Sequence, residues 1–187
     1  MPAQVCKRLF TVDEYYKMAE SGILRTEDRV ELIEGEVLEM AAIGNRHAHC
    51  VRTLIRVFST HVGEQGILDV QNPVRLGLYS EPQPDVILLR YRPDFYAEAH
   101  PGPEDVLLLI EVADSTADFD RHVKMPLYAR HGIPELWIVD LEAEIVEIYR
   151  NPRANRYAKQ TRSVPGDTLI SPQFPLCRIE VRALLGR

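Results

Sequence analysis

The run Val106-Leu-Leu-Leu-Ile-Glu-Val-Ala constrains this chain most. A segment that is apolar except for one glutamate reads as a strand covered on both faces, the environment of a sheet flanked by helices. Asp114-Ser-Thr then offers helix-cap candidates, a helix is predicted over residues 119–130, and Gly132 with Pro134 beyond marks its end. Residues 136–140 return as a strand. The strand, helix and strand form a βαβ unit, and everything else has to be arranged around it.

Upstream, Thr11 with Glu14 three residues later is a capping-box signature, so a first helix runs from there to Gly22. Glu34-Gly35 separates two short strand-like runs and suits a β-hairpin. Residues 45–63 place Val51, Leu54, Ile55, Val57 and Phe58 at helical spacing, with Asn45 as the cap. Short β-like runs follow at 67–71, 74–78 and 85–89, and the proline-containing stretch 92–105 is a loop. Residues 144–149 and 156–161 read as another hairpin. The tail carries Ser171-Pro and Phe174-Pro turns and ends in a short apolar stretch.

These elements predict an α/β (α+β) fold, a mixed central β-sheet flanked by helices with additional β-hairpins. At 187 residues the chain suits one domain over 1–187. Hydrophobic residues at 45% and charged residues at 27% exclude a disordered or collagenous class. No apolar run approaches the roughly 20 residues that span a bilayer. The N-terminus lacks the pattern of a secretory signal, so a cytoplasmic location is expected. Cys6, Cys50 and Cys177 show no metal or disulfide spacing and read as reduced, buried thiols. Exposed sheet edges would allow a homodimer.

The chemistry lies in the acidic residues placed against apolar strands. Asp85 heads one strand after Pro84, and Glu111 interrupts another. An unpaired buried carboxylate costs several kcal/mol, so each needs a partner. If their strands are neighbours, the two carboxylates meet at one sheet edge, where a Mg²⁺ ion would compensate both. Spacing alone equally allows Asp85 to cap a turn and Glu111 to pair with a buried lysine or arginine. The formal charge of −6 opposes binding to a polyanion. One stretch, 44–63, runs the other way: it carries Arg46, Arg52, Arg56 and three histidines, among them His47, and no acid. On a helix Arg52 and Arg56 share a face.

Taken together, Glu31-Leu-Ile-Glu-Gly-Glu, residues 40–47, Gln83-Pro-Asp-Val, Ile110-Glu-Val, and Lys124, Tyr128 and Gly132-Ile-Pro-Glu-Leu-Trp-Ile-Val-Asp resemble the Uma-type family of putative restriction endonucleases. That family belongs to the PD-(D/E)xK nuclease superfamily, and the likeness runs from about Phe10 to Asp140. It implies a restriction-endonuclease-like fold and a Mg²⁺-dependent endonuclease hydrolysing phosphodiester bonds in DNA, with Mn²⁺ as a substitute. By resemblance Asp85 and Glu111 bind the metal, with the Val112 carbonyl as a third ligand. Glu34, with Glu31 as its rival, adds an acidic group, while His47 and the arginines Arg46, Arg52 and Arg56 contact nucleic acid.

The sequence departs from the superfamily at Ala113, where a lysine is expected two residues after the glutamate. Lys124, on the following helix, is the substitute; alternatively it pairs with Asp120 in solvent. Ala113 also supports a second reading, a catalytically inactive nuclease-fold binding or assembly module. Ser115 is a helix-cap candidate, and Tyr128 and Trp137 read as core.

Overall fold

The computed structural model describes residues 6–186. Its centre is a six-stranded mixed sheet with strand order β3-β4-β5-β6-β7-β8. The strands are β3 (Ile67–Asp69), β4 (Val86–Leu89), β5 (Val106–Ala113), β6 (Glu135–Asp140), β7 (Ile145–Arg153) and β8 (Arg156–Ser163). Strands β5 and β6 pair in parallel and every other pair in this sheet is antiparallel. The expected βαβ unit is therefore present.

All eight residues of β5 are buried, as are all six of β6, because both faces of the sheet are covered. Alternate residues divide between two cores. Val86, Leu88, Leu108, Ile110 and Trp137 face α2 (Asn45–His61), α5 (Val181–Leu185) and the hairpin of β9 (Thr168–Ser171) and β10 (Phe174–Glu180). Ile87, Leu109, Leu136 and Ile138 face Leu127, Tyr128 and Ala129 of α4 (Met125–Arg130).

The crossover helix is not regular. It begins as α3 (Ala117–Phe119), widens into a π-turn (Asp120–Lys124) and continues as α4. The Met125 amide bonds the Asp120 carbonyl five residues back. Pro126 is the physical reason: it lacks the N–H that would bond the His122 carbonyl, and a widened turn accommodates the missing bond.

The N-terminal part follows expectation. Helix α1 (Val12–Glu20) has the full capping box, Thr11 to Glu14. Strands β1 (Val30–Ile33) and β2 (Glu36–Glu39) form the hairpin. Its loop is Glu34-Gly35, with φ of 50° and 82°. Gly35 is required twice over, by that φ and because a Cβ there would sit 2.6 Å from the Leu9 Cβ.

Three expectations need correction. Residues 74–78 are not a strand, because Pro73 and Pro82 supply no N–H for a ladder and Gly77 takes a φ of 127°. Helix α2 starts with Asn45 inside it, and Gly44, in extended conformation, is the N-cap without a side-chain bond. Among the cysteines, Cys50 and Cys177 are buried but Cys6 is exposed. At one sheet edge, β8 carries Arg156, Lys159 and Arg162, a charge pattern that discourages edge-to-edge pairing. Among the described residues no helix is long and apolar enough to cross a membrane.

Glu135 ties the C-terminal hairpin to the sheet. Its buried carboxylate accepts from Arg150 at 2.5 Å, Trp137 Nε1 at 2.8 Å and Ser171 Oγ at 2.7 Å. Glu135→Ala leaves the Arg150 guanidinium without its carboxylate and is expected to destabilise by on the order of 3 kcal/mol in urea unfolding. Lys7→Ala, which removes the exposed 2.8 Å pair with Glu36, is expected to cost under about 1 kcal/mol.

Candidate active site

The register of β4 against β5 builds the site. Val86 pairs with Ile110, and continuing that antiparallel register sets Asp85 directly opposite Glu111 at the end of β4. Glu111 faces the π-turn and α4, while Asp85, just before β4, reaches His47 of α2 at the sheet edge. Asp85 Oδ2 accepts the Val112 amide at 2.8 Å, which fixes the carboxylate across the strand boundary. Asp85 Oδ1 accepts Gln71 Nε2 at 3.2 Å and lies 3.0 Å from His47 Nε2.

Lys124 is buried, not solvated. Its ammonium lies 3.0 Å from Glu31 Oε1 and 3.2 Å from Glu111 Oε1. Residues 120, 124 and 128 are spaced by four along the π-turn and α4, and all three are buried against the sheet. Tyr128 donates to Glu111 Oε1 at 2.6 Å, so its hydroxyl belongs to the site although its ring packs in the core. Asp120 accepts from Thr116 Oγ1 at 3.2 Å. Thr116 is the N-cap of α3, and Ser115 is exposed.

The cluster therefore holds four carboxylates, Glu31, Asp85, Glu111 and Asp120, against one lysine, all of them buried. Burial pushes the Glu111 carboxyl up to about 8, with Lys124 opposing and Asp120, Asp85 and Glu31 reinforcing the shift. Burial likewise raises Asp120 to about 6, against the pull of Lys124 and Thr116. For Lys124, burial works against the charge, but Glu111, Glu31 and Asp120 outweigh it and hold the amine above its ordinary value.

A cavity of about 510 Å³ opens onto this cluster. Among the described residues no three His, Cys, Asp or Glu side chains already converge as a metal cage. The donor set nonetheless suits a hard divalent cation. Lys124 and Tyr128 both address Glu111 Oε1, leaving Oε2 without a protein donor among the described residues. Oxygen-only carboxylate donors and an excess of negative charge favour Mg²⁺ or Mn²⁺, which retain several waters.

The other expected residues divide. Val112 lines the cavity and His47 enters it, with Nδ1 buried and unpartnered. Arg46 sits at the rim, 3.2 Å from Asp114 and bonded to the Leu141 carbonyl. Arg52 and Arg56 do not reach this cavity. They border a separate groove with His49, Thr53 and Ala183, because five and nine residues after His47 a helix has turned to its far side. Glu34 is also elsewhere, exposed on the hairpin loop and 2.8 Å from Arg130. Glu31 takes the place expected of it: its Oε2 accepts the Gln83 amide at 3.1 Å while Oε1 faces Lys124.

Sequence reasoning named Thr116 among the helix-cap candidates but missed Gln71, the bond of Thr116 to Asp120 and the inward placement of Asp120. Only Asp120 left a signal, its four-residue spacing from Lys124.

A family model described as putative restriction endonuclease, Uma2, matches residues 12–182. The chain belongs to the Uma2 family. No curated protein matches it. Among solved structures, a putative nuclease belonging to DUF820 from Anabaena variabilis ATCC 29413 superposes with a TM-score of 0.73 at 17% identity. The match covers 95% of this chain and 98% of that one, so the two share a fold. This Uma2 member is thus a nuclease-family protein with a mixed six-stranded sheet.

The carboxylate cluster makes a stability prediction. Between the ordinary value of 4.5 and the folded value of about 8, folded Glu111 holds more proton than the unfolded chain does. Stability therefore falls as pH rises through that window. In metal-free buffer the wild type is expected to lose thermal stability relative to Glu111→Gln, by a few degrees between about pH 5 and about pH 8. A Tm difference independent of pH, read by calorimetry, would contradict the raised carboxyl.

Proposed function

We propose that this Uma2 protein is a divalent-metal-dependent endonuclease that hydrolyses phosphodiester bonds in DNA. The observation that carries the reading is the delivery of Lys124 from the π-turn to Glu111, beside Asp85, where β5 itself offers only Ala113. An ammonium next to two strand-borne carboxylates is the donor set that phosphodiester hydrolysis needs: acids to hold a cation and a fixed positive charge to face the phosphate.

Asp85 and Glu111 would hold the Mg²⁺ or Mn²⁺ ion, with the Val112 carbonyl as a third ligand. When bound, such an ion supplies Lewis-acid charge and makes water a better nucleophile near neutral pH. The chain's own residues do the rest. Lys124 offsets the charge that develops on the phosphate, and its hydrogen bonds to Glu31 and Glu111 hold the amine charged and oriented. Tyr128 fixes Glu111, so that one carboxylate oxygen stays available. His47, at hydrogen-bonding distance from Asp85, is placed to contact a phosphate oxygen or exchange a proton with it. Arg29, which lines the cavity, and Arg46, paired with Asp114 beside it, are the arginines that would meet the nucleic-acid backbone.

The inactive-module reading rested on Ala113, and it loses that support because a lysine enters the cluster from the helix. A test separates the two. Plasmid and oligonucleotide cleavage is measured with Mg²⁺ and with Mn²⁺ for the wild type, Asp85→Ala, Glu111→Ala and Lys124→Ala, each checked for folding by circular dichroism. The expected result is metal-dependent cleavage, reduced at least ~100-fold in each variant. Isothermal titration should show Mn²⁺ binding that Asp85→Ala and Glu111→Ala abolish and Lys124→Ala preserves. Absence of both cleavage and carboxylate-dependent metal binding in the folded wild type would return the protein to the inactive module.

A further inference from the structure

We infer that the substrate enters this site as an unpaired nucleotide, its base lying against Phe119 and Ile43 while its phosphate meets Asp85 and Glu111. The inference rests on the nuclease reading and adds the substrate class: single-stranded or locally melted nucleic acid, not intact duplex.

The first observation is depth. Asp85 is 8% and Glu111 3% exposed, so the two carboxylates form the floor of the cavity, not a surface patch. A cavity of about 510 Å³ falls within the ~300–1,000 Å³ that enclose one small organic molecule, which is the scale of a single nucleotide. A nucleotide that leaves the base stack can bring its phosphate to these carboxylates with its base inside the same cavity. Enzymes that work at the bottom of a pocket take the nucleotide out of the stack.

The second observation is the chemistry of the walls. One is the segment after β2, with Met40, Ala41, Ala42 and Ile43; the other is the turn from β5 into the crossover helix, with Asp114, Ser115, Thr116 and Phe119. Contacts with sugar and phosphate alone would call for polar and cationic walls. The first wall is apolar and the second carries an aromatic ring beyond its polar turn, and both stay open: Ile43 is 44% exposed and Phe119 half-buried. An aromatic ring and an aliphatic side chain lining one cavity are surfaces against which unpaired bases stack without regard to sequence.

The third observation is that the two walls are joined at the rim. Arg46 and Asp114 pair at 3.2 Å. Gly44 approaches so closely that a Cβ there would lie 3.2 Å from Asp114 Oδ2. The wall segments are thereby tied to each other at the edge of the cavity that holds the carboxylates.

The experiment uses fluorescein-labelled DNA of one sequence in three forms: single-stranded, duplex, and single-stranded with one abasic position. Binding is read by fluorescence anisotropy with Ca²⁺ in place of Mg²⁺ to hold cleavage back, and cleavage is read separately with Mg²⁺. The expected result is single-strand binding at least ~10-fold tighter than duplex binding. Phe119→Ala should weaken single-strand binding ~10-fold, Phe119→Tyr should retain it, and duplex binding should respond to neither. Ile43→Ala, at an exposed wall position, tests the same platform should Phe119→Ala fail to fold.

Equal binding and cutting of duplex and single strand, or single-strand affinity indifferent to both wall substitutions, overturns the inference and leaves the nuclease reading intact. Wall-dependent preference for the single strand with no cleavage under any metal keeps the inference and overturns the nuclease reading. No binding to either form overturns the inference.

Discussion

Four carboxylates around one lysine are costly to gather in a protein interior, where each ion gives up several kcal/mol of hydration that only close, well-directed partners return. The layout around β5 follows from how that cost is offset here. Glu111 takes two donors on one oxygen, from Lys124 and Tyr128, and Asp85 takes the Val112 amide. Glu31 takes the Gln83 amide on one oxygen and faces Lys124 with the other. What these partners leave over is negative charge facing the cavity, which the raised Glu111 and Asp120 carboxyls relieve in part by holding protons.

A site this charged requires a helix that cannot slide. The π-turn is anchored by Arg121, which donates to Glu147 at 2.7 Å and to Asp140 at 2.5 Å, joining the crossover helix to β6 and β7. Glu147 is completely buried and also accepts from Arg162 of β8 at 3.0 Å, so two strands and the helix meet at one carboxylate. Arg121 is adjacent to Asp120 and three residues before Lys124. The ion pairs between Arg121 and the sheet therefore set the phase in which its neighbours enter the cavity.

Much of this was legible in the sequence because it depends on short-range patterning. A run as apolar as 106–113 has to be a covered strand, its single glutamate has to be answered by something, and a strand headed by Asp85 was the nearest candidate. The exchange of Glu31 for Glu34 was legible too, with stricter reasoning. In a two-residue Glu-Gly hairpin loop both residues take positive φ, which turns the first side chain outward, whereas Glu31 lies within the strand. The helical repeat of about 3.6 residues per turn likewise separates Arg52 and Arg56 from His47 on sequence grounds alone. The Gln71 and Gln83 contacts and the anchors of Arg121 were not legible. They join residues 14 to 52 positions apart, and no local pattern encodes such a distance.

The acidic balance of the chain, which at first opposes a polyanionic substrate, takes on a different meaning once it is localised. A net-negative cavity floor repels phosphate and attracts a divalent cation, so on the nuclease reading a cation in the cavity removes the repulsion that keeps nucleic acid out. Linkage makes this reciprocal: whatever factor the cation adds to nucleic-acid affinity, nucleic acid adds to cation affinity. With Arg52 and Arg56 facing a different groove, little fixed positive charge borders the cavity beyond Lys124, Arg29 and Arg46. Retention of substrate then depends on the cation and on contacts with the base, not on a basic surface, and an apolar wall beside an acidic floor is the arrangement that such a division of labour requires.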